Sequence, residues 1–321
     1  MTHEAIMKLK VIDKQQLSPR VVGLILGYEN AVQMLPEWDA GAHIQLTLNT
    51  SEEVCFRQYS LCGLRHDLQT WQIAILKEQA GRGGSQFIHE QLQVGDVLDV
   101  GEPKNHFSFK KDPHCIFIAG GIGITPIIAM VREAVQQNLD WRLIYLAQQD
   151  SDFIFKQELS QLDQSDRIYF HCSDEKGFFD LEQYLNQFDA KTTIYSCGPK
   201  GLLDALEKLQ QKSQWKLVIE RFAVEVSDEL KTGKSFDITL QKSGKRIHVL
   251  ETETILDALK REGVKVICSC QSGTCGTCET VVISGIPEHR DFVLSEEERE
   301  LNETMMICVS RAISSELVLD L

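Results

Sequence analysis

The sequence predicts a multidomain chain: an antiparallel β-barrel, then an α/β domain with a parallel sheet, then a small α+β domain. Three observations predict it. Residues 1–108 hold short β runs parted by turn residues. From 113 to about 224, continuous apolar runs alternate with helical patterns. From 236 onward a hairpin and a helix lead into a cluster of cysteines. The expected division is 1–108, 109–225, a linker over 226–235, and 236–321.

In the first domain the expected strands are His43–Leu48, Gln58–Leu61, Trp71–Leu76 and Val97–Val100, with one helix over Gln86–Leu92. Several short strands at close spacing fit a small barrel. Two segments there carry chemistry. In Arg57-Gln58-Tyr59-Ser60, Arg57 and Tyr59 share one strand face and Ser60 takes the other. A guanidinium fork suits phosphate, a phenol ring suits stacking, and a hydroxyl can bond a heterocycle nitrogen. Arg82-Gly83-Gly84-Ser85 opens the helix and offers glycine backbone, a hydroxyl and a guanidinium to an anion. Ordinary barrel surface is the other reading of each segment alone.

The second domain alternates strands Cys115–Ala119, Leu143–Ala147, Ile168–His171, Thr193–Cys197 and Leu217–Phe222 with helices Pro126–Gln137, Phe155–Leu162, Leu181–Gln187 and Lys200–Gln211. Continuous apolar strands between helices imply a parallel sheet covered on both faces. Its first strand runs into Gly120-Gly121-Ile122-Gly123-Ile124-Thr125-Pro126. A glycine turn between strand and helix lets backbone N–H groups approach a phosphate, and Pro126 suits the first helical turn. Pro126 stands where G-x-G-x-x-G has its third glycine, so a ligand-free tight turn stays open. Cys197-Gly198-Pro199 ends another strand at the same rim, where open α/β sheets bind ligands. A structural thiol remains the alternative for Cys197.

The third domain begins with the hairpin Phe236–Leu240 and Lys245–Leu250, then a helix over Thr254–Glu262. Strands Thr280–Ile283, Met306–Val309 and Leu317–Leu319 follow. Between them lies Cys270-Gln-Ser-Gly-Thr-Cys275-Gly-Thr-Cys278, with Cys308 far beyond. C-x4-C-x2-C…C is the plant-type [2Fe–2S] spacing, four thiolates meeting two irons from one loop and one distant segment. Zinc and unliganded thiols are the alternatives; zinc sites favour paired ligands at both ends, and Cys308 stands alone. Cys268 is expected to be a buried thiol and no ligand.

Charge and hydropathy limit the function. The 321 residues include 47 acidic and 33 basic, a net charge of −14. That disfavours nucleic-acid and anionic-membrane binding, which need clustered Lys and Arg. The longest apolar run, Cys115 to Val131, is broken by glycines, Thr125 and Pro126 and falls short of the ~20 residues a span requires. No signal-peptide pattern opens the chain. A cytoplasmic location is expected, where thiols stay reduced and clustered cysteines bind metal.

Taken together, these residues resemble the phthalate dioxygenase reductase and vanillate demethylase reductase family across essentially the whole chain. The resemblance implies an FMN-binding barrel, an NAD domain and a C-terminal β-grasp-like ferredoxin. It implies that Arg57, Gln58, Tyr59 and Ser60 hold FMN, with Ser60 near the flavin N5. Ala74, Ile75 and Leu76 would line the ring, and Gly83, Gly84 and Ser85 the phosphate. Gly121, Gly123, Thr125, Cys197, Gly198 and Pro199 would form the nicotinamide nucleotide site, with Phe222 against the flavin. Cys270, Cys275, Cys278 and Cys308 would bind the cluster. Where the family often carries Arg after the second sheet strand, this chain has Gln148-Gln149-Asp150. A nucleotide lacking the 2′-phosphate, NADH, permits that loss.

The implied activity is electron transfer from NADH through FMN and the [2Fe–2S] cluster to a separate Rieske-type non-haem iron oxygenase. Ser60 and Cys197 would position the reactants, and no general acid or base is expected. A cytochrome P450 as acceptor, and a redox-sensing iron–sulfur flavoprotein, are the other readings. Glu296-Glu297-Glu298-Arg299-Glu300 would meet a basic partner or be a solvated helix face. Gly233 and its neighbours would let the last domain swing.

Overall fold

In the computed structural model the described residues are 6–30, 32–50, 54–79, 83–162, 166–222 and 232–321. The chain divides into two compact units, Met1–Arg221 and Phe222–Leu321. Arg82 and residues 226–231 of the expected linker lie outside the described residues.

The first unit opens with an antiparallel sheet of β1 (Ile6–Ser18), β2 (Val21–Gly27), β3 (His43–Asn49), β4 (Val54–Ser60), β5 (Thr70–Leu76) and β6 (Val97–Gly101), in the order β4-β3-β6-β1-β2-β5. A bridge between Leu61 and Ile73 joins the outer strands, closing the curl into a barrel. Leu9, Leu24, Ile44, Leu46, Ile73 and Val100 fill it. The helix α1 (Gly84–Glu90) packs against β4 and β5.

The sequence reading lacks β1 and β2. Met7, Leu9 and Val11 do alternate with exposed residues. The register then shifts between Val11 and Asp13 and again between Gln16 and Ser18. Each bulge adds a residue and breaks the period of two by which a strand is recognised.

A five-stranded parallel sheet follows in the same unit: β7 (His114–Gly120), β8 (Asp140–Ala147), β9 (Ile168–Cys172), β10 (Thr192–Cys197) and β11 (Lys216–Glu220). Its order is β11-β10-β7-β8-β9. The sequence of strands reverses at the β7–β10 junction, where such sheets leave a crevice at their carboxyl ends. The helices are α2 (Ile124–Gln136), α3 (Lys156–Leu162), α4 (Ser173–Lys176), α5 (Leu181–Leu185) and α6 (Lys200–Gln210). The last strand ends at Glu220, two residues short of expectation, and Phe222 lies outside it.

The second unit is a mixed sheet of β12 (Phe236–Leu240), β13 (Arg246–Val249), β14 (Glu279–Ser284), β16 (Thr304–Met306) and β18 (Glu316–Leu319), in the order β13-β12-β18-β14-β16. A small ladder joins β15 (Pro287–Glu288) to β17 (Arg311–Ala312). The helix α7 (Ile255–Arg261) buries Ile255, Leu256, Ala258 and Leu259 against it. α8 (Glu296–Leu301) covers most of the acidic run. Ser295 caps it, accepting from the Glu298 N–H while the Glu298 carboxylate accepts from Ser295 N–H.

Two expectations change here. The expected strand Met306–Val309 stops at Met306, and the chain turns, with the Val309 and Ser310 N–H groups donating to the Met306 carbonyl. The run is apolar because it is buried, and the turn carries Cys308. Nor is Gly233 a free pivot. Its N–H donates to the Glu251 carbonyl at 2.9 Å. Arg290 Nη1 holds the Thr232 carbonyl at 2.8 Å and Arg311 Nη2 holds that of Lys234 at 3.0 Å.

Candidate functional site

The expected flavin residues stand on three neighbouring elements. In β4, Tyr59 pairs with Ile44 of β3 and Ser60 with His43. Ser60 is buried and Tyr59 half-buried, so the alternation puts the hydroxyl inward. Burial pushes the Tyr59 phenol above its ordinary pKa, keeping it a neutral donor. Ala74, Ile75 and Leu76 end β5, opposite Gly23, Val22 and Val21. Between β5 and α1, Gly83 adopts φ +74° and nothing lies within 4 Å of where a Cβ would stand. At Gly84 a Cβ would meet Arg57 Nε at 2.7 Å, so the guanidinium lies directly over this glycine. The Glu78 N–H donates to Ser85 Oγ at 3.0 Å, which leaves the hydroxyl proton to point elsewhere. Arg57, whose Nη1 donates to the Phe56 carbonyl at 2.8 Å, thus lies together with Gly84 and Ser85 beside the open space at Gly83, and a guanidinium with a hydroxyl there suits a phosphate.

The expected nucleotide residues meet at the β7–β10 junction. Gly120 to Gly123 turns from β7 into α2 through one short 3₁₀ turn over Gly121–Gly123. Gly121 has φ +53° with open space beside it. Gly123 is pressed on β10: a Cβ there would meet the Cys197 carbonyl oxygen at 2.2 Å. At Gly120 it would meet Pro199 Cδ at 2.6 Å. Close approach of the Cys197 backbone explains Gly123, the Pro199 ring explains Gly120, and Gly121 is left open to a ligand. Thr125 turns inward, its hydroxyl donating to the Ile122 carbonyl at 3.0 Å. The same 3₁₀ turn packs on β5, bringing the nucleotide turn against the strand that carries Ala74, Ile75 and Leu76.

Cys197 is fully buried, and burial pushes its thiol far up, away from thiolate chemistry. Its register partner on β11 is Glu220. Glu220 Oε2 is buried with no hydrogen-bond partner among the described residues, and burial lifts the carboxyl to about 8. In the sequence Glu220 stands out only as the start of Glu220-Arg221-Phe222, the run that resembles the family's flavin-side segment; its adjacency to Cys197 appears only in the sheet. Arg221 beside it is tied to Asp204 at 2.9 Å and Glu207 at 2.7 Å. Phe222 is exposed. At the end of β8, Gln148, Gln149 and Asp150 are exposed, and Asp150 Oδ1 holds Lys156 Nζ at 2.5 Å.

In the second unit the four expected ligands converge. Cys270 Sγ accepts from Ser272 N–H at 3.3 Å and Thr274 N–H at 3.4 Å. Cys270 neighbours the thiols of Cys275 and Cys308, and Cys308 also neighbours Cys278. Their titrations diverge. Donation from Cys275 and Cys308 pulls Cys270 well down; the thiols of Cys275 and Cys308 are held up by their neighbours and by burial. Four sulfurs gathered in so small a buried loop can all be thiolates only around a compensating positive centre. Among the described residues no group of three or more His, Cys, Asp and Glu is arranged to hold a metal ion. The donor set, four cysteines with backbone N–H groups aimed at sulfur, fits a cluster. Gly273 and Gly276 turn the loop at φ +71° and +70°. Cys268 is half-buried, less enclosed than expected, and its sulfur accepts from Gln271 Nε2 at 3.7 Å.

A flavin-type barrel, a nucleotide-type parallel sheet and a four-cysteine loop on one chain define an iron–sulfur flavoprotein oxidoreductase. The comparisons with known proteins agree. Residues 8–109 match the oxidoreductase FAD-binding domain, 117–208 the oxidoreductase NAD-binding domain, and 238–312 the 2Fe-2S iron-sulfur cluster binding domain. A carnitine monooxygenase reductase subunit from Escherichia coli strain K12 is 36% identical over 292 residues, covering 89% of this chain and 90% of that one. The solved phthalate dioxygenase reductase is 31% identical, with TM-score 0.70 and coverage of 99% and 98%. An intact type IV self-sufficient cytochrome P450 monooxygenase is 33% identical with TM-score 0.86; it covers 98% of this chain, which spans 41% of that longer protein. The chain belongs to the phthalate dioxygenase reductase family of three-domain flavin, NAD and 2Fe-2S oxidoreductases. Among the described residues no helix is long and apolar enough to cross a membrane.

Proposed function

We propose that this chain is the NADH-dependent reductase component of a multicomponent oxygenase in the cytoplasm, delivering electrons to a separate Rieske-type non-haem iron oxygenase. The observation that carries the redox reading is the packing of the Gly121–Gly123 turn on β5. It puts the strand end proposed to line a flavin beside the turn proposed to seat a nicotinamide. When bound, a flavin takes two electrons from NADH and gives them up singly, which suits a cluster that carries one.

The residues of this chain bind and orient. Arg57, Gly83, Gly84 and Ser85 would hold a single phosphate, and this small cradle supports FMN over FAD. Gln58, Tyr59, Ser60, Ala74, Ile75 and Leu76 would seat the ring, with Ser60 a donor beside it. Gly121, Gly123, Thr125, Gly198 and Pro199 would shape the nucleotide crevice, and Cys197 would pack behind it. Gln148-Gln149-Asp150 at the β8 rim offers no arginine for a 2′-phosphate, which supports NADH. Cys270, Cys275, Cys278 and Cys308 would hold the cluster. The domain limits 1–108, 109–225 and 236–321 suit these three tasks.

A P450 acceptor is the second reading, favoured by the fold shared with the self-sufficient P450 protein. The test is turnover of the purified holoprotein with NADH and a Rieske oxygenase or a P450 from the same organism. Oxygenase-dependent NADH oxidation with product formed supports the proposal. Turnover with the P450 alone overturns the Rieske assignment, and no reduction of any acceptor overturns the reductase reading.

A further inference from the structure

We propose that Arg132 and Glu133, adjacent in α2, are positioning residues that hold the nucleotide turn in register with the flavin-side strand β4. The inference rests on the site assignments above.

α2 is apolar on nearly every face: Ile124, Ile127, Ile128, Met130, Val131 and Ala134 are buried. Two adjacent charges near the end of such a helix are costly unless each is partnered. Both are. Glu133 is only 5% exposed and is held by Arg65 Nη1 and by Lys111 Nζ at 2.8 Å. Arg132 donates from Nη1 to the carbonyls of Cys62 at 2.6 Å and Gly63 at 2.8 Å. Its Nε holds Glu158 at 2.7 Å.

The partners lie where the barrel leads away from its candidate site. Cys62, Gly63 and Arg65 lie two, three and five residues past Ser60 in sequence. Arg65 is itself braced, Nε donating to the Trp38 carbonyl and Nη2 to Asp39, both at 2.9 Å. Lys111 lies in the segment entering β7. One end of α2 therefore carries the glycine turn. Nine residues on, about 14 Å along a stiff helix, the same element grips the chain two residues past Ser60. Apolar packing alone would tolerate sliding. Two directed grips, one on carbonyls and one on a buried carboxylate, do not. An error of about 1 Å between reacting groups can cost ~10²-fold in rate, so a clasp that fixes this register acts on the reaction and not only on stability.

The test uses holoprotein carrying Arg132→Met, Glu133→Gln or, at the more accessible rim, Arg65→Met. Stopped-flow flavin bleaching at saturating NADH is measured beside flavin and NADH affinities, the primary isotope effect with 4-deuterated NADH, and amide exchange of residues 61–66. The expected result is affinities within about twofold of wild type, bleaching slowed at least tenfold with a steeper temperature dependence of the isotope effect, and faster exchange at 61–66. Arg132→Lys should restore part of the rate. If the Arg132 or Glu133 variants fail to fold, Arg65→Met carries the same test. Unchanged bleaching and isotope effect in a folded variant, whatever its melting temperature, overturn the proposal. Failure of the underlying site reading shows differently: Arg57→Met would keep full flavin affinity and Gly121→Asn full NADH affinity.

Discussion

Glu220 couples the crevice to pH through one buried oxygen. Its carboxyl rises from an ordinary 4.5 to about 8 because burial opposes the charged form and no described group compensates. The sign follows from proton linkage. Between about 4.5 and 8 the folded chain binds this proton more tightly than the unfolded chain does. The contribution is fully present below the unfolded value and lost as pH rises through the folded one. Melting temperature of wild type should therefore fall relative to Glu220→Gln from pH 5 to pH 8, and the difference should level off above that. Parallel melting curves for the two proteins across this range would show that Oε2 is solvated or partnered.

At the scale of the element, Arg311 decides how the second unit holds its own N-terminal strand. It is almost fully buried, and its guanidinium donates to the carbonyls of Glu253, Lys234 and Leu250. It also lies 5.2 Å over the Phe236 ring. Arg311→Met would strand up to three carbonyls at ~1–3 kcal/mol each. We expect a loss of about 3 kcal/mol or more in urea unfolding of the C-terminal transition, against about 1 kcal/mol for the cap variant Thr254→Ala, which removes one side-chain acceptor from α7. Similar losses for both would mean that water replaces the guanidinium. Elements differ in how far sequence exposes them. The parallel strands were legible because an apolar run between helices has few other uses. The cysteine loop was legible because its ligands are local and their spacing is fixed by the cluster. β1 and β2 were not, because two bulges spoil the alternation. The turn at Cys308 was not, because burial and strand look alike in an apolar run. The grip of Arg132 on Cys62 joins residues 70 positions apart, and no local pattern encodes it.

Across the whole molecule the excess of acid is general, a net −14, and the region from Phe236 has its own share, fifteen acidic residues against nine basic. In α8 the first-turn acids Glu296, Glu297 and Glu298 meet the positive end of a short helix, and Glu298 is spent on the cap. Glu296, Glu297 and Glu300 remain exposed. Two uses compete for them: solvation of a surface helix, or attraction of a basic partner. Ionic strength separates the two, because screening acts on encounter between charged surfaces and leaves bound cofactors untouched. If these acids steer docking, the second-order rate of acceptor reduction should fall severalfold as salt rises from about 20 to 200 mM, where the Debye length drops from roughly 20 to 7 Å. Glu297→Lys with Glu300→Lys should lower that rate and flatten its salt dependence. NADH oxidation with a small neutral quinone should stay the same in all cases. A salt dependence identical in the double variant and wild type would return α8 to plain solvation and move the docking charge elsewhere on the acidic surface.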